Sequence, residues 1–459
     1  MSRALVLFTR DLRVRDHPAL SAAVREHDAI VPAFVFDSQL LRGSCAAPNR
    51  LAFLLDCLSD LDRSLGERGT RLLVRQGEVI DEAMKLVHRW GITAIYMSAD
   101  VTPYAQHRHA LLAAACQRQR IELRTFPGVT VVPAGELTPT GGDHYRVFTP
   151  YWRVWSSLAV APLLQAPRRI GGPAGARRRA VALPKLSSLT SAKASPQLQA
   201  GGESAARVQL ARWLRGPIDG YEGGHDDLAA EATSRLSAHL HFGCISPRTV
   251  LVRSRGHAAG GEAFARQLCW RDFHHQVLAA RPELPHADYR PRGDRWRRDE
   301  RSSDAWRDGL TGYPVVDAGM RQLAQEGFMH NRARLIVASF LTKLLYVDWR
   351  TGAAHFARLL IDADVANNVG NWQWVAGTGN DTRPNRVLNP MRQAERFDPR
   401  GDYVRRHVPE LASIPGRAVH QPWLLGPARA RIDYPEPLLD HRAAAAELRA
   451  RRYGSNSPA

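Results

Sequence analysis

The chain has 459 residues, more than one hydrophobic core usually accommodates, so we expect two domains. Hydrophobic residues make up 44% of it, yet no apolar run approaches the roughly twenty residues that cross a bilayer, which excludes a helical membrane protein. The net charge of +18 indicates a polyanionic partner, and nucleic acid fits best. Nearly all basic residues are arginines, so compositional bias is an alternative source of the charge.

Two features indicate the compartment. The N-terminus enters a strand-like run at once, without a secretory apolar core, and its acidic residues argue against a transit peptide. The cysteines include no CxxC pair, so the sequence predicts neither a disulfide framework nor a metal site. We therefore expect a cytoplasmic protein without bound metal, in which the following cysteines are buried small side chains: Cys45, Cys57, Cys116, Cys244 and Cys269.

Strand-like and helix-like segments alternate through residues 1–130. Short β-branched and apolar runs predict strands at 4–8, 30–36, 71–74, 94–97 and 129–132. The intervening segments predict helices at 18–27, 48–67, 78–90 and 104–119. This alternation predicts a doubly wound parallel sheet, an α/β domain. The turn after the first strand reads TRDLR and lacks GxGxxG, which excludes dinucleotide binding in the usual strand-to-helix manner.

A change of composition separates this domain from the rest of the chain. Residues 160–204 are rich in Pro, Gly, Ala and Ser and poor in large apolar groups, so we assign 131–204 to a connector lying across the surface. Residues 205–459 form an all-α domain with most of the 11 tryptophans. Its helices are predicted at 205–214, 246–255, 261–280, 316–326, 331–346, 352–360 and 443–452.

The segment from residue 329 to 374 combines helical apolar spacing with charges, amides and indoles. Buried charges usually pair with each other or with a polar ligand, because burying them unpaired is costly. This composition predicts a pocket for a large, aromatic ligand with polar edges. Its polar residues are Asn331, Arg332, Arg334, Asp362, Asp364, Asn367 and Asn368, and its tryptophans are Trp349, Trp372 and Trp374.

Two further segments carry candidate binding chemistry. The segment TSRLS at 233–237 offers hydroxyls and backbone N–H groups to a phosphate, although a plain helix cap is the favoured explanation when the segment is taken alone. The segment CWRDFHHQ at 269–276 could stack on bases and hold phosphates, or form a helix with one buried indole and a solvated polar face. Its histidines lack the partners that a metal site needs.

Five motifs occur in one order: ATSRLS, QLCWRDF, TGYPVVDAGMRQL, GFMHNRARL and DADVANNVGNWQW. Together they resemble the photolyase/cryptochrome flavoprotein family, most closely its microbial class I cyclobutane pyrimidine dimer photolyases. The resemblance covers nearly the whole chain. It implies an antenna-chromophore domain at 1–130, a connector at 131–204, and a helical FAD- and DNA-binding domain at 205–459. The implied reaction is light-dependent DNA repair, in which photoexcited reduced FAD donates an electron to a flipped dimer and splits it.

The resemblance also implies the cofactor contacts. A cation beside the flavin ring favours its reduced anion, and a neutral amide adapts its hydrogen bonds between redox states. Arg334 and Asp362 correspond to the charged pair beside the ring, Asp364 to another flavin contact, and Asn368 to the residue facing flavin N5. The remaining implied FAD contacts are Tyr221, Thr233, Ser234, Arg235, Leu236, Ser237, Phe264 and Ala363.

Tryptophans and polar groups correspond to the family's electron-transfer and lesion sites. Trp372, Trp349 and Trp296 match an electron-transfer triad, in order from flavin to surface, although each alone could be a core residue. Their implied role is photoreduction of oxidised FAD. Extruding a damaged, poorly stacked pair costs less than extruding normal bases. The implied contacts to the flipped dimer and the DNA backbone are His225, Gln267, Trp270, Arg271, Asn331, Arg332 and Trp374.

Two departures keep alternatives open. Gln267 stands where many dimer-repair enzymes have Glu, and Leu335 where many have Met. A cryptochrome-like blue-light sensor without repair, or a (6-4) photolyase, is therefore the alternative. The pair His330-Asn331 argues against the second, because those enzymes use paired histidines as acid and base.

The resemblance implies an antenna chromophore in the first domain. Arg50 and Asp100 correspond to positions that line the deazaflavin pocket of some relatives, so 8-hydroxy-5-deazaflavin is favoured over methenyltetrahydrofolate. The expected partner is UV-damaged DNA. We expect a monomer with no membrane and no protein partner.

Overall fold

A computed structural model describes residues 2–43, 46–173 and 183–453. Its sheet has five parallel strands in the order β3-β2-β1-β4-β5. The central strand is buried along nearly all its length, because helices cover both faces of the sheet. This confirms the predicted doubly wound sheet, whose strands are β1 (Arg3–Phe8), β2 (Ala29–Asp37), β3 (Leu73–Gly77), β4 (Ala94–Ser98) and β5 (Glu122–Phe126).

The predicted fifth strand at 129–132 is wrong. The edge strand β5 has the sequence ELRTF, whose polar residues suit an edge and hide it from a search for apolar runs. The valines after it pack towards the helical half instead: the backbone N–H groups of Val131 and Val132 both donate to the carboxylate of Asp272, at 3.0 and 2.9 Å.

The helices of the α/β part agree with the predicted ones to within a residue or two. Two of them carry proline in the first turn and a polar N-cap side chain, His17 or Thr102. The helices are α1 (Pro18–Glu26), α2 (Ser38–Arg42), α3 (Pro48–Gly66), α4 (Val79–Trp90) and α5 (Pro103–Gln119), of which the short α2 was not predicted.

The connector is more ordered than its composition indicates. It contains α6 (Phe148–Ser157) and α7 (Leu186–Leu189), neither of which was predicted. Helix α6 buries Phe148, Tyr151 and Trp155 against the helical part. Residues 174–182 of the predicted connector lie outside the described residues.

The rest of the described chain is helical, as predicted. Its helices are α8 (Glu203–Leu214), α9 (Tyr221–Gly224), α10 (Ser237–Phe242), α11 (Pro247–Ser254), α12 (Ala258–Ala280), α13 (Glu300–Asp308), α14 (Pro314–Glu326), α15 (Asn331–Ser339), α16 (Trp349–Leu359), α17 (Val365–Ala376), α18 (Pro390–Phe397), α19 (Asp402–His407) and α20 (His441–Tyr453).

The single helix predicted at 331–346 is broken. Helix α15 ends at Ser339 and continues as a π-helical turn at Phe340–Leu344. Tyr346 then adopts a left-handed conformation with φ of 56°, and the N–H of Val347 donates to the Leu341 carbonyl. Such a reversal is not encoded in apolar spacing, which runs on through the segment.

The two parts of the chain share a tight contact. The N–H of Leu12 donates to the Phe242 carbonyl, and Arg13 donates to the Gly243 carbonyl at 3.0 Å. Gly243 has φ of 67°, and a Cβ there would lie 2.0 Å from the Arg10 carbonyl oxygen, so only glycine fits. This contact sets the TRDLR turn after β1 against the helical part.

Two sequence predictions concern burial. Within the described ranges, no helix combines the length and apolar composition needed to cross a membrane. Cys57, Cys116, Cys244 and Cys269 are buried, as predicted, whereas Cys45 lies outside the described residues.

Candidate functional site

A cavity of about 400 Å³ opens in the helical part, and most of the predicted cofactor and lesion residues line it. Its walls come from α12, α15, α17 and the segment before α10. The predicted residues that line it are Tyr221, His225, Thr233, Ser234, Arg235, Leu236, Ser237, Phe264, Gln267, Trp270, Arg271, Asn331, Arg334, Asp362, Asp364 and Trp374. Asn367, one of the polar residues of the predicted pocket, also lines it. The lining residues that were not predicted as ligands are Leu240, His241, Leu268, His274, Phe328, Met329, Leu335 and Asn371.

Helical spacing explains how α12 presents its side chains to the cavity. On α12, Phe264, Gln267, Arg271 and His274 recur every three or four residues and face the cavity. The C-terminal half of α12 also buries polar side chains, including Asp272 and His275. The alternative of a solvated polar face at 269–276 is therefore wrong, whereas Trp270 and Arg271 of that segment line the cavity.

Arg334 and Asp362 form the charged pair of the cavity, at 2.9 Å. Burial raises the pKa of Asp362, but the guanidinium of Arg334 outweighs it, so the net pKa lies below the ordinary value. The second oxygen of this carboxylate, Oδ1, is buried and has no hydrogen-bond partner among the described residues. A ligand with an N–H or O–H group at this wall would satisfy it.

The segment 233–237 folds as a tight turn before α10. Arg235 has φ of 51°, and the Leu236 N–H donates to Ser234 Oγ at 3.3 Å. The guanidinium of Arg235 pairs with Glu326 and lies 4.2 Å from the centre of the Phe328 ring. The turn thus presents hydroxyl and N–H donors to the cavity, whereas the predicted cation is already engaged by a carboxylate.

Asp364 joins the cavity to the α/β part. Its carboxylate caps α17 by accepting from the Asn367 N–H and pairs with Arg10, which follows β1. Burial raises the pKa of Asp364, but His275 and Arg10 outweigh it and hold it well below its usual range. Arg10 also pairs with Asp100 at 3.2 Å. A structural role thus accompanies the flavin contact predicted for Asp364.

Replacing Arg10 with methionine should lower the free energy of unfolding by about 3–5 kcal/mol, the usual cost of leaving a buried charge unpaired. Because the pKa of Asp364 is depressed, the pair stabilises the fold fully at neutral pH and is lost as pH falls through the folded-state pKa. Urea unfolding at pH 7 and at pH 3 should therefore show a larger difference between wild type and variant at pH 7. An equal difference at both pH values would contradict the assignment.

Two histidines at the cavity wall were not predicted as ligands. Burial lowers the pKa of His241 and of His274 to about 4, so both are neutral at physiological pH. His274 fits only because residue 370 is glycine, since a Cβ there would lie 2.3 Å from the imidazole Nδ1. That Nδ1 has no hydrogen-bond partner among the described residues. The adjacent pair His274-His275 is visible in the sequence, but the burial of these side chains is not.

Asn368 lies in a smaller neighbouring cavity of about 70 Å³. The two cavities share lining residues, including Asn331, Arg334 and Asp362. The Asn368 amide donates to the Ala353 carbonyl at 3.0 Å, which leaves its oxygen to accept. Trp372 lines the same small cavity, so an amide and an indole adjoin the charged pair. Ala363 lies beside these residues in the chain, but neither cavity includes it.

The three predicted electron-transfer tryptophans differ in exposure. Trp372 is 2% exposed, Trp349 is fully buried, and Trp296 is partly exposed. Trp349 donates its indole N–H to Asp288 at 2.9 Å and begins α16. One turn later, Gly352 lies against the Trp372 ring, where a Cβ would meet the indole at 2.1 Å. Only Trp296 of the three is partly exposed, which is compatible with its predicted place at the surface end, whereas burial does not order Trp349 and Trp372.

Two indoles and two amide side chains form the mouth of the large cavity: Trp270, Trp374, Gln267 and Asn331. Trp270 stacks face to face on Phe148 of α6, with ring centroids 3.6 Å apart and 2° between planes. Trp374 carries the guanidinium of Arg386 at 5.6 Å from its ring centre. Phe148 escaped prediction because it lies in the connector, far away in the chain.

Two cations predicted to contact DNA are engaged within the protein. Arg271 donates to the carbonyls of Val129 and Leu240, and its side chain is only 10% exposed. Arg332 pairs with Asp226 and is absent from the residues that line the cavity. The expected contact with the DNA backbone does not fit this inward placement of Arg271. His225 lines the cavity, and this placement is compatible with the predicted contact with the DNA backbone.

The two predicted antenna residues lie between the α/β and helical parts. Arg50 donates to the carbonyls of Ala357 and Leu360 in α16 and just after it. Asp100 pairs with Arg10. These contacts explain both residue types without a chromophore. Across the described ranges, no group of three or more His, Cys, Asp or Glu side chains is arranged to hold a metal.

Comparisons with known proteins match this architecture. A family model described as DNA photolyase matches residues 4–168, and one described as FAD binding domain of DNA photolyase matches 264–453. A deoxyribodipyrimidine photo-lyase of Streptomyces griseus is 53% identical over 455 residues, covering 98% of both chains.

Solved structures agree. A bacterial class III photolyase from Agrobacterium tumefaciens has a TM-score of 0.92 at 33% identity, over 99% of this chain and 98% of that one. A cryptochrome of Synechocystis has a TM-score of 0.91 at 28% identity, over 98% and 99%. Because two family models together cover most of the chain and a relative matches nearly all of it, this chain belongs to the DNA photolyase family.

Proposed function

We propose that the protein is a deoxyribodipyrimidine photo-lyase that repairs cyclobutane pyrimidine dimers in UV-damaged DNA with light. The observation that carries the proposal is one cavity that joins the Arg334–Asp362 pair to a mouth bearing Trp270 and Trp374. This arrangement suits a flavin inside and a flipped pyrimidine dimer at the entrance. The Streptomyces griseus relative, which bears this enzyme name, matches the chain nearly end to end.

The polar groups that line the cavity suit FAD. The buried Oδ1 of Asp362 needs a donor, which the ring of a flavin offers. Hydroxyls and N–H groups of the turn at 233–237 suit phosphates. Arg334 supplies a cation that favours the reduced, anionic form of the ring. When bound, reduced and excited by light, FAD supplies the electron that splits the dimer.

The mouth of the cavity is suited to hold the dimer. Trp270 and Trp374 offer apolar faces, and each base stacked on an aromatic ring contributes about 1–3 kcal/mol. Asn331 and Gln267 offer amides to the pyrimidine edges. Because a carboxamide both donates and accepts, Gln267 can pair with a thymine edge where many relatives use Glu.

The (6-4) alternative is not favoured by His330. Burial lowers its pKa to about 4, so at neutral pH its side chain is the neutral imidazole and not the imidazolium that acts as an acid. Its imidazole already accepts from the Arg332 N–H at 3.2 Å, as the cap of α15. The residue therefore serves the helix and is poorly suited to act as an acid.

The proposal is tested by blue-light repair of a single-stranded oligonucleotide with one thymine dimer. The flavin-loaded protein is reduced without oxygen, and thymine absorbance is followed in light and in darkness. We expect recovery of absorbance in light only. No recovery from a fully reduced, flavin-loaded sample would contradict dimer repair, and the same assay with a (6-4) lesion would then test the alternative.

Replacing Trp296 or Trp372 with phenylalanine should slow photoreduction of oxidised FAD by an order of magnitude or more. A phenyl ring is much harder to oxidise than an indole but fills most of the same space. Repair by chemically reduced enzyme should stay near the wild-type rate. Trp423→Phe, a partly buried tryptophan outside the triad, is the matched control. Joint loss of photoreduction and repair would show that the triad residues are structural.

We also propose an antenna chromophore in the α/β part, with 8-hydroxy-5-deazaflavin favoured over methenyltetrahydrofolate. The strand order reverses direction between β1 and β4, and sheets of this kind bind ligands beside the carboxyl ends of strands at that point. Polar side chains gather there, including Asp37, Tyr104 and Arg108. Loading the protein with each chromophore and recording the action spectrum of repair would distinguish them. The monomeric state and cytoplasmic location stay predictions.

A further inference from the structure

Two buried thiols meet where the α/β part contacts the helical part. Cys57 lies on α3, and Cys244 follows α10, 187 residues later in the chain. Their Sγ atoms are 3.2 Å apart, and both residues are fully buried. A disulfide needs about 2.05 Å between the sulfurs, so a shift of roughly 1 Å would join them. Light-driven repair makes no use of thiols, so this pair is unexplained by the proposed function.

The environment distinguishes the two sulfurs. Burial raises the pKa of Cys244, but hydrogen bonds from the Cys57 thiol and from His239 outweigh it and hold it below its usual value. Burial holds the pKa of Cys57 well above its usual value. The surroundings therefore favour the thiolate at Cys244 over the thiolate at Cys57, and a thiolate is the nucleophilic form of the sulfur.

Cys244 also lines a cavity of about 310 Å³ outside the FAD site. Four arginines and two carboxylates surround this space, so its charge is positive and favours a thiolate at its wall. The cavity is large enough to hold a small polar oxidant beside this residue. Its charged residues are Arg13, Arg15, Arg207, Arg253, Asp16 and Glu203.

We propose that Cys244 and Cys57 form a peroxide-reactive pair that closes into a disulfide between the two parts of the protein. The Cys244 thiolate attacks hydrogen peroxide, breaks its O–O bond and releases hydroxide, leaving a sulfenic acid. The Cys57 sulfur then displaces the sulfenic oxygen, which leaves as water. Both thiols are oxidised, and one peroxide is reduced to two waters. The new bond ties α3 to the segment after α10.

The test uses the full-length, flavin-loaded protein in the dark with a small excess of hydrogen peroxide. After denaturation and alkylation, unreduced peptides are identified by mass spectrometry. We expect a cross-linked pair containing Cys57 and Cys244, a fall from five free thiols to three, and reversal by dithiothreitol. Oxidised protein should also unfold at a higher temperature than reduced protein, because the link closes a long loop. Absence of the cross-link would overturn the proposal.

Variants assign the roles of the two sulfurs. In Cys57→Ser, a dimedone probe should trap a sulfenic acid at Cys244, whereas Cys244→Ser should leave Cys57 unoxidised. Cys116→Ser, at a buried cysteine on α5 with no second thiol nearby in the described chain, should form the link at the wild-type rate. Oxidation of Cys57 in Cys244→Ser would refute the assigned order. If either variant fails to fold, alkylation of the wild type across pH decides, with Cys244 expected to react at lower pH than Cys57.

Discussion

Trp270→Ala should weaken binding of dimer-containing DNA by about 5- to 150-fold, since stacking of a base on an aromatic ring contributes about 1–3 kcal/mol. One face of this indole is covered by Phe148 at 3.6 Å, which fixes the ring at the cavity mouth without help from a ligand. The ring therefore loses little conformational freedom when a base stacks on it. The FAD content should stay unchanged, because the charged pair and the turn at 233–237 are untouched.

Affinity is measured with a labelled single strand carrying one dimer, beside the same strand undamaged. Trp270→Phe keeps an aromatic face and should retain most of the affinity. Trp152→Ala is the matched control, because this tryptophan lies on α6 under the guanidinium of Arg266, next to Phe148. Equal dimer affinity in wild type and Trp270→Ala would show that the lesion is held elsewhere.

Local patterns predicted much of this fold. Short β-branched apolar runs located four of the strands, and helical spacing located the principal helices, because those segments bury one face or both. The prediction of the fifth strand was wrong because ELRTF is a polar edge strand, whereas the apolar valines after it contact Asp272 through their backbone N–H groups. The π-helical turn at 340–344 was not predicted, because apolar spacing alone does not reveal a change of helical period.

The site was predictable where one helix carries several ligands and was missed where distant segments meet. Asn331 and Arg334 share a face of α15 and needed no tertiary knowledge. The pair of Arg10 with Asp364 joins residues 354 apart in the chain, and no local pattern indicates it. Phe148 behind Trp270 is a contact of the same kind. Arg271 had the right residue type, but only the fold shows that it points inward.

Arg334→Leu should cause the largest loss of FAD among single changes in the cavity. Removing one partner of a buried ion pair usually costs about 3–5 kcal/mol, because the remaining charge stays desolvated. The Arg334 side chain is 24% exposed, so we expect the lower end of that range. The variant should purify with little flavin, and added FAD should bind about a hundredfold more weakly, as about 3 kcal/mol implies.

Two further variants separate the effect of the charge of Arg334 from the effect of its shape. Asp362→Asn keeps an acceptor oxygen in the cavity while removing the charge that Arg334 balances, so it should retain more FAD than Arg334→Leu. Arg334→Lys keeps the cation but loses the planar group, which also donates to the Met329 carbonyl, and should be intermediate. Flavin absorbance per chain and the reduction potential of bound FAD are the two measurements. Loss of the cation should lower the potential, because reduction adds negative charge to the ring. If Arg334→Leu retained full flavin at an unchanged potential, the charged pair would lie away from the ring and the cofactor would occupy the cavity in another orientation.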